Sequence, residues 1–338
     1  MSLMFDEAAN ASHAVRAQLA QDSATLTALG AAIRRLAPRA VVTCARGSSD
    51  HAATYAKYLI ETHARVLTAS AAPSVNSVYG VTQDLRGYLF IAISQSGRSP
   101  DLLASVSAAK SAGATVLAMC NSPDAPLMAA ADWAIDLRAG AETSVAATKS
   151  FLATMAALAR LVAAWTEDAA LSKDIERLPA LMDASWALDW RAVQPELEVA
   201  TSVFVTGRGL GLAAAQETAL KCKETCGLHA EAFSSAEIIH GPYTLLGPSF
   251  PALLFAQRDA TLPGVKALAR ELLRRGVPVM LAGAEVEGAI ELPTLDAPAE
   301  LAPILLVQSA YKMIAELSVR RGFDPDRPPH LKKVTETV

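Results

Sequence analysis

The sequence predicts an α/β protein of two tandem units, each a doubly wound, mainly parallel sheet flanked by helices, followed by an irregular C-terminal tail. Three observations carry this. The chain of 338 residues is too long for one ordinary domain, at roughly 100–200 residues per domain. Short, continuously apolar strands alternate with helical stretches, as in a parallel sheet covered on both faces. Hydrophobic residues make up 52% of the chain and aromatics only 5%, so Ala, Leu, Val and Ile must fill the cores, which suits helices packed closely on sheets.

In chain order, residues 1–36 form an N-terminal helical segment with one amphipathic helix over about residues 8–36. Residues 37–166 make the first domain. Its strands are Val41–Ala45, Arg65–Ala69, Tyr88–Ile93, Thr115–Cys120 and Trp133–Leu137, and an Ala/Leu-rich helix over about Ala146–Trp165 closes it. Residues 167–198 are charged and helical without a β pattern, and read as a connector. Alternation restarts in the second domain, residues 199–321. Its strands are Ser202–Thr206, Ala252–Ala256, Val277–Leu281 and Ala289–Leu292, with helices over about 211–226, 262–275 and 300–321. The first turns echo each other, Ala45-Arg46-Gly47-Ser48 against Gly207-Arg208-Gly209-Leu210, which points to an internal duplication. Residues 322–338, with Pro325, Pro328 and Pro329, cannot continue the last helix and form a tail that could fold over a site.

A formal net charge of -4 leaves no basic footprint for nucleic acid, so any anionic ligand must be caught locally. No apolar run approaches the roughly 20 residues a membrane span needs, and the N-terminus, with Asp6 and Glu7, lacks a signal-peptide core. A soluble, cytoplasmic protein is expected. Cys44, Cys120, Cys222 and Cys226 have no zinc-ligand spacing with histidine and are expected to be reduced, buried fillers.

The sharpest local signal is Ile93-Ser94-Gln95-Ser96-Gly97-Arg98-Ser99-Pro100-Asp101, a hydroxyl-rich turn that leaves a buried strand and enters a helix. Hydroxyls, an amide and free backbone N–H groups at a helix start are what a phosphate dianion needs, at the carboxyl ends of parallel strands where ligands bind. A helix cap by Ser99 with Pro100 in the first turn accounts for one serine and leaves Ser94, Gln95 and Ser96 unexplained. On the helix near residue 220, Glu217, Lys221 and Glu224 share one face at i, i+4 and i+7. A solvated salt-bridge face would show the same spacing. Gly207-Arg208-Gly209-Leu210-Gly211 invites a dinucleotide reading, but Leu212 stands where the third glycine belongs and no acidic residue closes the next strand. It reads better as a tight strand-to-helix turn.

The Ser94-Gln95-Ser96-Gly97 turn resembles the phosphate-binding signature of the sugar-isomerase (SIS) family. The resemblance continues through Arg46-Gly47-Ser48-Ser49, Ser144-Val145-Ala146-Ala147-Thr148-Lys149-Ser150-Phe151, Ala219-Leu220-Lys221-Cys222-Lys223-Glu224, Glu237-Ile238-Ile239-His240-Gly241-Pro242 and the tail. These blocks follow the order found in the isomerase half of the glucosamine-6-phosphate synthases. Those enzymes also carry an N-terminal glutaminase domain, which the 338 residues do not include. The second type of glucosamine-6-phosphate deaminase is the better match, in length, in the Ser-Gln-Ser-Gly-x-Ser-Pro-Asp form of the loop and in the tail motif.

The resemblance implies two SIS domains, no cofactor and no metal, and a hexosamine 6-phosphate as substrate. It makes Arg46, Gly47, Ser48, Ser94, Gln95, Ser96, Ser99, Val145, Ala147 and Lys221 the substrate and phosphate contacts. Glu224 becomes the carboxylate that moves a proton between C1 and C2. His240 becomes the ring-opening acid/base, reaching in from a partner subunit as in the synthases, so a homodimer with shared active sites is expected. Lys333 corresponds to a Schiff-base lysine, although in a deaminase it could serve only to bind the sugar. Arg46 and Arg98 depart from the synthase pattern, which has Cys and Glu there, and both add positive charge near the phosphate. The expected reaction is glucosamine 6-phosphate to fructose 6-phosphate and ammonia. The rivals are a galactosamine-6-phosphate deaminase, a fructosamine-phosphate deglycase and a non-catalytic sugar-phosphate sensor.

Overall fold

The computed structural model describes residues 2–21 and 23–333. The helices, in chain order, are α1 (Leu3–Ala9), α2 (Ala11–Leu19), α3 (Ser23–Leu36), α4 (Ser48–Leu59), α5 (Ser74–Ser77), α6 (Pro100–Ser111), α7 (Pro126–Ala130), α8 (Lys149–Thr166), α9 (Ala169–Trp186), α10 (Gln194–Val199), α11 (Gly211–Cys226), α12 (Leu262–Arg274) and α13 (Ala302–Arg320). The strands are β1 (Val41–Cys44), β2 (Thr68–Ser70), β3 (Leu89–Ser94), β4 (Thr115–Cys120), β5 (Trp133–Asp136), β6 (Ser202–Gly207), β7 (His229–Ser234), β8 (Ala252–Phe255), β9 (Val279–Ala282) and β10 (Ile290–Leu292). The chain divides into two compact units, one built on β1–β5 and one on β6–β10.

In the first-sheet unit, which holds His13–Glu142, Ala153–Arg177, Lys332 and Lys333, the strand order is β2-β1-β3-β4-β5 and every pairing is parallel. Every residue of the central strand β3 is buried, as a strand covered on both faces must be. Phe90, Ala92, Val116 and Ala118 pack there against Leu102 and Val106 of α6. The order reverses between β1 and β3, so the turns after these two strands flank a topological switch point, where open α/β sheets bind ligands.

The second-sheet unit holds residues 2–12, Thr143–Leu152 and Leu178–Leu331. Its order, β10-β9-β8-β6-β7, is again all parallel. Numbered within each sheet, both read second-first-third-fourth-fifth, which is the duplication that the echoing turns suggest. Phe204, Leu254 and Leu281 pack against Val265, Leu268 and Leu272 of α12. The tail is ordered through its described part. The Asp326 carboxylate accepts the Leu3 and Met4 N–H groups, each at 2.7 Å, and so neutralises the free donors that start α1.

Several expected elements differ. The single opening helix is three, interrupted at Asn10, whose backbone caps α1, and again between Leu19 and Ser23. The strand expected at Arg65–Ala69 starts only at Thr68, because a π-helical turn over Ile60–Ala64 ends in Arg65 with left-handed backbone, φ 59°. The edge strand β7 is new. Its sequence, His229-Ala230-Glu231-Ala232-Phe233-Ser234, has no apolar run because only Ala230 is buried. Among the described residues no helix is long and apolar enough to cross a membrane. All four cysteines are free and buried. Burial raises the thiol pKa of Cys44 to about 11 and likewise that of Cys226 to about 11.

Candidate active site

In the first-sheet unit the turn after β3 is held open from within. Ser94 Oγ accepts the Gly97 N–H at 2.9 Å, and Ser96 Oγ accepts the Arg98 N–H at 3.4 Å. Gly97 has φ 64°, and a Cβ there would lie 2.6 Å from Ala125 Cβ and 2.7 Å from Cys120 Sγ. Only glycine fits this position. Ser99 has extended backbone at the cap position of α6, but its side chain makes no cap bond. The capping role therefore does not consume its hydroxyl. Gln95, Ser96 and Ser99 are half-buried and Arg98 is exposed. Hydroxyls, an amide and the donors at the start of α6 thus cluster at the switch point.

The turn after β1 joins this turn through Arg46, whose Nε donates to Asp101 Oδ2 at 3.0 Å. Asp101 is buried, at 3% exposed, and offsets part of the charge that Arg46 brings. Gly47 has φ 54° and caps α4, with Ser48 as its first residue. The expected contacts Arg46, Gly47, Ser48, Ser94, Gln95, Ser96 and Ser99 are therefore brought together on the two turns that flank β1 and β3. Lys333 lies in the same unit, with Nζ 3.4 Å from Glu142 Oε2. The side chain of Glu142 is fully buried.

In the second-sheet unit, α11 carries a buried charge chain. Lys221 Nζ donates to Glu224 Oε2 at 2.7 Å and lies 3.2 Å from Glu217 Oε1. Tyr311 Oη of α13 donates to the same Glu217 oxygen at 2.8 Å. Glu217 and Lys221 are 0% and 1% exposed, while the Glu224 side chain is 21% exposed. Burial by itself would drive the proton off Lys221, but the Glu217 and Glu224 carboxylates outweigh it and raise the lysine pKa. Lys221 thus holds one oxygen of Glu224 and leaves that side chain partly open to solvent. This is not the solvated face that the spacing alone permits.

His240 ends a 3-10 turn over Glu237–His240 and precedes Gly241, φ 145°. It is exposed. Val145 and Ala147 lie in the segment between Thr143 and Thr148, which is anchored by Glu7. The Glu7 carboxylate accepts the N–H and the hydroxyl of Thr143 and the N–H of Ser144. In the Gly207–Gly211 turn, a Cβ on Gly207 would meet Gly211 O at 2.1 Å, the close strand-to-helix packing read from the sequence. Glu7, Glu142 and Tyr311 are not picked out by sequence motifs. No group of His, Cys, Asp and Glu among the described residues is arranged to hold a metal ion.

Comparison with known proteins supplies the family. The SIS-domain model matches residues 37–164 and 196–290. The glutamine–fructose-6-phosphate aminotransferase (isomerizing) of Pyrococcus horikoshii is 31% identical over 307 residues, covering 87% of this chain and 51% of that protein. That of Aeropyrum pernix is 33% identical over 317 residues, covering 86% and 50%. The chain therefore spans about half the length of the curated relatives it matches. Among solved structures, a protein from Silicibacter pomeroyi provisionally named a phosphosugar isomerase is 37% identical, with TM-score 0.92 over 96% of this chain and 100% of that one. The C-terminal domain of glucosamine-fructose-6-phosphate aminotransferase from Francisella tularensis follows at 26% identity and TM-score 0.85, covering 96% and 97%. The glucosamine-6-phosphate deaminase of Thermotoga maritima, 20% identical with TM-score 0.78 over 99% and 100%, shares the fold. With one matched segment on each parallel sheet, the chain belongs to the SIS-domain family.

Proposed function

We propose that the protein is an amino-sugar phosphate deaminase that converts glucosamine 6-phosphate and water to fructose 6-phosphate and ammonia. The observation that carries this reading is the partly open Glu224 carboxylate held by the fully buried Lys221, in a chain that also bears a hydroxyl-lined loop suited to a phosphate.

Ser94, Gln95, Ser96 and Ser99 bind the 6-phosphate, with Arg46, Gly47 and Ser48 on the adjoining turn. Val145 and Ala147 contribute backbone contacts to the sugar. His240 assists ring opening by giving a proton to the ring oxygen. In the open-chain aldehyde, Glu224 takes the C2 proton. The C2–H electron pair becomes the C1=C2 bond, and the carbonyl oxygen gains a proton to give an enaminol. Return of the proton from Glu224 to C1 leaves an iminium at C2. Water adds to C2, the C–N bond breaks, and ammonia departs to leave the ketone. Lys221 keeps Glu224 oriented through both transfers. Because the substrate supplies its own amine and Lys333 pairs with Glu142, a binding role for Lys333 is favoured over a Schiff base.

His240 is exposed and next to Ile239, itself 56% exposed. This supports action as a homodimer in which each His240 serves the partner's site. The test is an assay of ammonia release from glucosamine 6-phosphate, galactosamine 6-phosphate and a fructosamine phosphate by wild type and Glu224→Gln. Release from glucosamine 6-phosphate that the substitution abolishes supports the reading. Release confined to another sugar reassigns the substrate.

A further inference from the structure

The registers of the two sheets allow their loops to be compared residue by residue. Ala92 of β3 pairs with Cys44 of β1, and Leu254 of β8 pairs with Thr206 of β6. Arg46-Gly47 follow Cys44 as Arg208-Gly209 follow Thr206. On this register Gln257 takes the place of Gln95, Asp259 that of Gly97 and Thr261 that of Ser99. The helices then begin in step, α6 at Pro100 and α12 at Leu262. The second loop, however, has its anion built in. The Asp259 carboxylate accepts the Thr261 N–H at 2.7 Å, the Thr261 hydroxyl and the Gln257 side-chain amide at 3.0 Å. A phosphate there would meet a like charge and donors already taken.

The ligand space of this unit lies beside that loop. A cavity of about 410 Å³ opens at the carboxyl ends of β8, β9 and β10, lined in part by Gln257, Arg258, Lys266, Gly283, Glu285 and Glu291. Its size falls within the range of small-molecule sites, and its position is where parallel sheets place ligands. Gly283, on the cavity wall, lets the chain after β9 pass close to the end of β8. A Cβ at this residue, φ 85°, would lie 1.9 Å from Ala256 O.

The charges decide the ligand. Arg258 is already paired with Asp296 at 2.9 Å. Lys266, Glu285 and Glu291 form no ion pair with any described residue, so the cavity offers one ammonium and two carboxylates. A phosphate dianion would be repelled by that excess, and a simple amine would leave Lys266 unmatched. A small zwitterion matches both signs.

We propose that this cavity binds a free α-amino acid, its carboxylate on Lys266, its ammonium on Glu285 and Glu291, and its side chain against Leu305 and Leu306. The site stands independently of the deaminase reading, because its lining shares no residue with the Ser94–Ser99 loop. Calorimetric titration of the whole protein with each standard L-amino acid at up to about 10 mM tests it. At least one should bind saturably. Lys266→Met and Glu291→Gln, both at the cavity wall and each checked for an unchanged melting temperature, should each weaken that binding at least about tenfold. Ser96→Ala should leave it unchanged. No saturable binding, binding indifferent to either wall substitution, or loss on Ser96→Ala would overturn the proposal. So would glucosamine 6-phosphate binding to the Ser96→Ala protein that disappears on adding Lys266→Met, which would make the cavity a phosphosugar site.

Discussion

Lys221 Nζ sits 2.7 Å from Glu224 Oε2 and 3.2 Å from Glu217 Oε1, an ammonium with 1% of its side chain exposed between two carboxylates of its own helix. The arrangement is locked by the Tyr311 hydroxyl on Glu217. Removing the cation takes the Lys221 ammonium from the fully buried Glu217 carboxylate, so Lys221→Met should destabilise the protein by about 3–5 kcal/mol. Urea unfolding of the two proteins at pH 7 measures this.

Glu224 is the proton carrier in the proposed reaction. Glu224→Gln retains the hydrogen-bonding shape but cannot accept a proton, and should lower turnover of glucosamine 6-phosphate by about a hundred- to ten-thousand-fold. Binding of the sugar phosphate, followed by calorimetry, should change little, because the phosphate contacts lie on another loop.

Gly97 permits the shape of the turn after β3. Gly97→Ala puts a methyl group against Ala125 and Cys120 at a φ of 64°, and should cost about 1–3 kcal/mol of stability together with most of the affinity for sugar phosphates. Ser96→Ala, which keeps the backbone, should lose only about five- to tenfold in affinity, the worth of one hydrogen bond. Comparison of the two substitutions separates loop shape from loop chemistry.

Stability should fall on the alkaline side. Cys44 and Cys226 are held as thiols to about pH 11 by burial, against an ordinary 9.0. The unfolded chain therefore loses these protons first, and stability declines between about pH 9 and 11. The raised pKa of Lys221 acts in the same direction. Its contribution is complete below the ordinary lysine value of 10.5 and is lost as pH rises through the folded value. Urea midpoints from pH 7 to 11 should be level and then drop, and native protein at pH 7.5 should show no rapidly reacting thiol.

The central strands and the turn after β3 were legible because their signals are local. Every residue of β3 is buried, so it reads as an apolar run, and its turn gathers Ser94, Gln95, Ser96 and Ser99 within six residues. The edge strand β7 gave no such run, since water covers most of it and pairing with β6 holds it in place. Glu7, Glu142 and Tyr311 were invisible for a different reason. Their partners Thr143, Lys333 and Glu217 lie 136, 191 and 94 residues away along the chain, and no periodicity encodes a contact at that separation. Glu217 and Lys221 could be placed on one helix face by spacing, but whether that face was wet or buried depended on α13.

The most direct test of the proposed function is incubation of the purified protein with glucosamine 6-phosphate in deuterated water, following ammonia and the label at C1 of the product. Stoichiometric ammonia and fructose 6-phosphate are expected, with deuterium at C1 only to the extent that the proton on Glu224 exchanges with solvent before its return, and turnover in Glu224→Gln lower by at least about a hundredfold. Ammonia release without formation of fructose 6-phosphate, or equal turnover in the Glu224→Gln protein, would contradict the proposed reaction.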